Sequence, residues 1–235
     1  MRRAIPFTAL ILLAAFVLSG FSSQEVVVGR RRATSSPAIA LVAHGFKTGS
    51  GATSALNMTG ATLLVACVEG QNSPTAPTDS SSNIWQTASA AGASYVAQLI
   101  AVQVYYVYNP TVTSSQTFTN TYANSSMTVA GFSGTLTTSG VYDTGTGNGS
   151  AGVHSTTIQP GSITVTAGEL LFSCAYSSGS GGWSVDSSFV PLDSPTPFGQ
   201  SAEDAYLVAG AGAVNPTWTT TLAYLVAAQA AFKHP

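Results

Sequence analysis

The stretch Ile100-Ala-Val-Gln-Val-Tyr-Tyr-Val-Tyr108, followed by Gln116-Thr-Phe-Thr-Asn-Thr-Tyr122, decides how this chain is read. In the first segment Val102, Val104, Tyr106 and Tyr108 fall on one face of an extended chain, and Gln103, Tyr105 and Val107 on the other. In the second, Thr117, Thr119 and Thr121 alternate with Phe118 and Tyr122. A two-residue beat built from β-branched and aromatic residues is the signature of a half-buried strand. Between the two segments lie Asn109-Pro110 and Ser114-Ser115, the residue types that turns use.

The same pattern extends in both directions. Short apolar or alternating runs separated by Gly, Pro, Ser and Asn clusters mark further strands at Ile39–His44, Thr62–Val68, Ile84–Ala88, Met127–Phe132, Ser162–Thr166, Leu170–Tyr176, Ser184–Val190, Ala205–Ala209 and Leu222–Phe232. The last keeps a strict beat through Tyr224, Val226, Ala228, Ala230 and Phe232 and reads as a closing strand. Ala88–Ala97 is rich in Ala but interrupted by Gly92 and serines, and reads as loop. Many short strands with turn chemistry between them predict an all-β, antiparallel β-sandwich, jelly-roll-like in type.

The N-terminus predicts export. Arg2 and Arg3 precede an apolar run from Ala4 to Phe16, and small residues follow at Ser19, Gly20, Ser22 and Ser23. That order is the order of a secretory signal, which sets the expectation of a signal peptide over 1–22 and a secreted or cell-surface protein. A flexible spacer with Arg30–Arg32 is expected over 23–37, and a single β-sandwich domain over 38–235. No later segment is long and apolar enough for a membrane span after signal removal.

Beyond Arg32 the chain has no arginine and only Lys47 and Lys233, against eight acids, a net charge of −6. Neutralising phosphates takes a patch of Lys or Arg, so nucleic acid is not an expected partner. Charged residues make up only 7% of the whole chain, and the surface must be wetted by hydroxyls and amides instead. Such a surface suits a glycan or cell-surface polymer, or self-association with other copies.

One internal echo stands out. Thr59-Gly-Ala-Thr-Leu-Leu-Val-Ala-Cys67 resembles Thr166-Ala-Gly-Glu-Leu-Leu-Phe-Ser-Cys174, placing Leu63 on Leu170, Leu64 on Leu171 and Cys67 on Cys174. Either two halves of the sandwich use equivalent strands, or two apolar strands agree by coincidence. Cys67 and Cys174 are also the only cysteines, and in an exported chain they are candidates for a disulfide, against the alternative of two buried free thiols.

An Asp-Ser-Ser-Ser-Asn-Ile-Trp turn (Asp79 to Trp85) precedes the Tyr-rich strand (Tyr105, Tyr106, Tyr108). A Val-Ala-Gly-Phe-Ser-Gly strand (Val129–Gly134), a Gly-Glu-Leu-Leu strand (Gly168–Leu171) and a terminal Ala-Ala-Phe-Lys (Ala230–Lys233) follow. In that order these features resemble a widespread group of secreted bacterial β-sandwich domains, often of jelly-roll type and without assigned function. The resemblance implies a fold and an extracellular setting and carries no catalytic residue.

Trp85, Trp183 and Trp218 each follow a turn cluster, where loops would present an indole to a sugar ring, and are the candidate ligand-binding residues. Trp183 is the first choice because its neighbours are Gly and Ser, and packing in the core is the alternative for all three. Glu69, Glu169, Asp186, Glu203 and Asp204 are the acids from which a glycosidase would draw its pair. Glu203 and Asp204 read as loop residues. Asp79 with Asn83, or Glu203 with Asp204, offer oxygen to calcium, though Asp79–Asn83 is more simply a turn. His44, His154 and His234 show no metal-ligand spacing, so neither a metal site nor a cofactor is expected. The sequence reading is therefore a non-catalytic extracellular module for carbohydrate binding or adhesion. A self-associating matrix protein and a carbohydrate-active enzyme using paired carboxylates are the alternatives.

Overall fold

The computed structural model describes residues 38–71, 74–186 and 188–235. The expected signal peptide and spacer lie outside the described residues. What forms is an antiparallel all-β sandwich with two five-stranded sheets face to face.

The first sheet has the order β1-β8-β3-β6-β5, from β1 (Ala40–Thr48), β3 (Leu63–Gln71), β5 (Gln86–Tyr95), β6 (Ile100–Tyr108) and β8 (Ser125–Ser133). The second runs β9-β18-β12-β15-β14, from β9 (Tyr142–Gly149), β12 (Leu170–Ser177), β14 (Val190–Pro191), β15 (Ser201–Val208) and β18 (Leu225–Phe232). Each sheet draws on one half of the chain. The path therefore crosses between them once, between β8 and β9, in place of the repeated crossings of a jelly roll.

The two halves are wired alike. If β1, β3, β5, β6 and β8 are matched in turn to β9, β12, β14, β15 and β18, the strand orders of the sheets coincide. The small outer sheets match too. β2 (Gly51–Ala52), β7 (Phe118–Asn120) and β4 (Thr78–Asp79) form a three-stranded sheet in that order over the first half. β10 (Ser155–Ile158), β17 (Trp218–Ala223) and β13 (Ser184–Val185) do the same over the second. The remaining pair, β11 (Ile163–Val165) and β16 (Gly212–Val214), belongs to the second half alone. The sequence echo lies on the central strands of this duplication: β3 is third in its sheet and β12 third in the other.

The central strands of each large sheet are thus buried on both faces. Leu63, Val65, Val102, Val104, Phe132, Leu170, Phe172, Val226 and Phe232 fill the space between the sheets. Leu64, Ala66, Val68, Met127 and Val129 pack under the first outer sheet with Phe118, and Leu171, Ala175, Leu225 and Ala227 under the second with Trp218. Two buried faces explain why β3, β12 and β18 read as nearly unbroken apolar runs.

Several expectations change, and Ser184–Val190 is not one strand but parts of β13 and β14, which lie in different sheets. Ala88–Ala97 is not a loop but most of β5, with Ala88 and Ala91 buried. Its small residues let β5 lie against β9: a Cβ on Gly147 would sit 2.2 Å from the Gly92 carbonyl oxygen. Next, β9 went unforeseen, because Thr144-Gly-Thr-Gly-Asn-Gly149 carries turn residues where a strand needs room for a close neighbour. Finally, Glu203 and Asp204 are not loop residues; they lie inside β15.

The sandwich has one tight long edge and one short one. Where β5 meets β9, long strands run together. At the matching edge, β14 spans two residues opposite the nine of β1. There His44 Nδ1 and Asp193 Oδ2, 2.8 Å apart, bridge the gap.

Candidate functional site

The tryptophans sit in the layers rather than at loop tips. Trp218, the first residue of β17, is fully buried, and its Nε1–H donates to Ser173 Oγ at 3.0 Å. A ring with no exposed face cannot stack on a sugar, so Trp218 is withdrawn as a ligand residue. Trp183 is half-buried and meets Trp218 edge-on at 6.1 Å, with its Nε1 buried and unpartnered. Trp85 makes the equivalent edge-on contact with Phe118, also at 6.1 Å, and its Nε1–H donates to Asp79 Oδ2 at 2.9 Å. Each half therefore carries an edge-on aromatic contact beside its outer sheet, and the structure does not gather the three indoles into one site.

Asp79 is occupied as well. Its Oδ1 accepts from the Ser81 backbone N–H at 2.8 Å, Asn83 Nδ2 at 3.1 Å and Gln116 Nε2 at 3.2 Å. These bonds define a turn whose carboxylate is already satisfied.

Of the acids named in the sequence, the fold brings one pair together. Period-two alternation puts Glu69 on the same face of β3 as Cys67, and Asp204 on the same face of β15 as Ala202 and Tyr206. Both faces look into the sandwich. Cys67 and Cys174 form a disulfide across it, with Cα atoms 6.6 Å apart. One oxygen each of Glu69 and Asp204 and the two sulfurs all lie within 4.8 Å of one another. With the sulfurs bonded to each other, no thiolate is left to serve a metal.

Glu69 and Asp204 are both fully buried. Glu69 Oε2 accepts from Ser126 Oγ at 3.1 Å, while Glu69 Oε1, both Asp204 oxygens and Thr128 Oγ1 have no partner. Burial pushes the Glu69 carboxyl well above the usual range, and the neighbouring Asp204 pushes it further. Burial likewise raises Asp204, opposed by Thr128 and Glu69 and supported by the charges of Asp193 and Glu203. Tyr176, beside them on β12, is held up by burial and then by Glu69.

The other acids stand apart. Glu203 lies on the opposite face of β15 and accepts from Ser194 Oγ. Glu169 accepts from the Thr166 backbone N–H at 3.0 Å in the turn before β12. Asp186 Oδ2 accepts from Thr217 N at 2.7 Å.

Matching the two halves strand by strand shows what is peculiar to this polar nest. Glu69 takes the place of Tyr176, Asp204 that of Val104, and Thr128 that of Ala228. The nest is one of the places where the duplicated halves differ; Ser173 in place of Ala66 and Gln229 in place of Val129 are others.

On the surface, a depression of about 550 Å³ opens where the end of β9 meets β10 and the approach to β17. Asn148, Ser150, Ser155, Thr157, Gln159 and Thr217 supply its polar lining, which has no ionisable side chain. Asn148 Nδ2 donates to the Gln159 carbonyl at 3.1 Å and Gln159 Nε2 to Thr217 Oγ1 at 3.0 Å, which fixes both amides. No sequence motif pointed to it; its residues come from the stretch 148–159 and from Thr217.

Among the described residues no helix is long and apolar enough to cross a membrane. Comparison with known families, curated proteins and solved structures finds no match.

Proposed function

We propose that this chain is a non-catalytic secreted or cell-surface module that binds a neutral, hydroxyl-rich polymer, a carbohydrate, in the depression beside β10. The observation that carries the reading is the lining. Held amides and hydroxyls with no ionic group match a ligand that offers hydroxyls and no charge. The charge-poor composition supports the same partner class and an adhesive role. Against a carbohydrate-active enzyme stands the position of the acids: the one pair that meets is sealed between the sheets, out of reach of a polysaccharide.

Binding should be weak, with Kd of about 10 μM to 1 mM, since it rests on modest neutral hydrogen bonds. It should also be almost independent of salt, because no cation-rich patch releases counterions. Glycan-array screening followed by calorimetry at low and high salt tests this. Asn148→Ala and Gln159→Ala should each weaken binding about fivefold with melting unchanged. Binding that collapses in salt, or that ignores both substitutions, overturns the assignment.

A further inference from the structure

The most unusual chemistry in the molecule is the nest around Glu69 and Asp204, and the composition of the chain limits how it can be neutralised. Two carboxylates inside a sandwich cannot both stay ionised without a counter-charge, because desolvation and mutual repulsion both oppose it. The folded part has no arginine to offer. Of its two lysines, Lys233 is engaged with Asp143 at 2.7 Å, and Lys47 reaches toward Gly51 at the end of β1. His44, at the short edge, is bonded to Asp193. Among the described residues no cation is paired with either carboxylate.

The hydrogen-bond pattern says what is missing. As two carboxylates, Glu69 and Asp204 can only accept, and three of their four oxygens are without a donor. One proton on Glu69 changes that: the acid O–H can donate to Asp204, Thr128 Oγ–H can turn toward the same carboxylate, and Ser126 already serves Glu69. We propose that Glu69 and Asp204 form a proton site, a carboxyl–carboxylate pair loaded when the sandwich folds, and that its discharge loosens the short edge and makes the domain acid-stabilised.

The surroundings are consistent in sign. The ionisable groups felt at the pair are Tyr176 from β12, Asp193 near Asp204, Glu203 on the far face of β15, and His44 behind Asp193. None except His44 can carry positive charge. Glu69 holds its proton more tightly folded than unfolded, where a glutamate titrates near its ordinary 4.5. The stabilisation is thus complete below that value and is lost as pH rises through the folded one. The released proton goes to solvent and leaves two buried charges, which the structure relieves by opening where β14 is shortest and His44–Asp193 bridges the sheets.

The experiment is a melting profile of the intact protein from about pH 4 to pH 9, with Glu69→Gln and Glu203→Gln alongside. Wild type should lose about 3–5 °C per pH unit over the window in which one extra proton is held. Glu69→Gln supplies an N–H to Asp204 without titrating, so its profile should be flatter, while Glu203→Gln should keep most of the slope. If Glu69→Gln fails to fold, Asp204→Asn takes its place, and the infrared band of a protonated carboxylic acid in wild type at neutral pH gives a second readout. Equal slopes in wild type and the folded variant, or no such band, overturn the proposal. So does a large rise in melting temperature on adding Ca²⁺, Mg²⁺ or Mn²⁺ that a chelator reverses, because the counter-charge is then a metal.

Discussion

Replacing both Cys67 and Cys174 with alanine tests how the halves are held together. The bond closes a loop of 107 residues. The chain-entropy relation gives about 4.8 kcal/mol for a loop of that length. Both sulfurs are fully buried, so deleting them also removes packed volume worth about 0.8 kcal/mol each. A loss of about 6 kcal/mol is therefore expected, a fall in melting temperature of about 12–24 °C for a domain of this size. Urea unfolding should be run at a single acidic pH, so that the protonation of Glu69 and Asp204 does not change between the two proteins. The slope of free energy against urea should rise in the variant, since its unfolded chain is no longer tied into a loop. The wild type, unfolded but unreduced, should resist alkylation. A loss below about 2 kcal/mol, or rapid labelling of both cysteines in the unfolded, unreduced protein, would refute the reasoning.

Other consequences can be measured as directly. Trp218→Ala should cost about 3–5 kcal/mol in urea unfolding, because a wholly buried indole leaves a large cavity. Ser173→Ala should cost about 1–3 kcal/mol by stranding the Trp218 N–H, and Ser173→Thr, which keeps the hydroxyl, should recover part of it. Gly147→Ala should cost about 3 kcal/mol, since the new methyl meets backbone rather than a movable side chain. In alkali, burial holds the Tyr105 phenol up to about 12 while an unfolded tyrosine ionises near 10. The folded state binds the extra proton, so stability should decline between those values, and circular dichroism against pH would show it.

The fold was legible where alternation or long apolar runs carried it, as in β6, β12 and β18. It was illegible where small residues served a purpose that sequence does not display. β5 and β9 look like loops because Gly92, Gly145 and Gly147 are chosen for close approach rather than for strand propensity. The polar nest was half readable. Glu69 follows Cys67 by two, and a strand that points the cysteine inward must point the glutamate inward too. Asp204 was misplaced because an adjacent pair of acids suggests a solvated loop, and only its pairing with Cys174 across β12 and β15 reveals the strand. The depression beside β10 had no local signature at all.

The matched wiring of the two halves bears on how the molecule is made. Every ladder of the two large sheets joins strands from the same half, so the first half can complete its pairing before the second has left the ribosome. Confining each ladder to one half bounds the loops that must close, although Ala40 and Ser133, which pair across β1 and β8, still stand far apart in sequence. Docking of the halves, with bond formation between Cys67 and Cys174, would then come late. Two copies that meet before that step could trade halves, the first of one chain closing on the second of another.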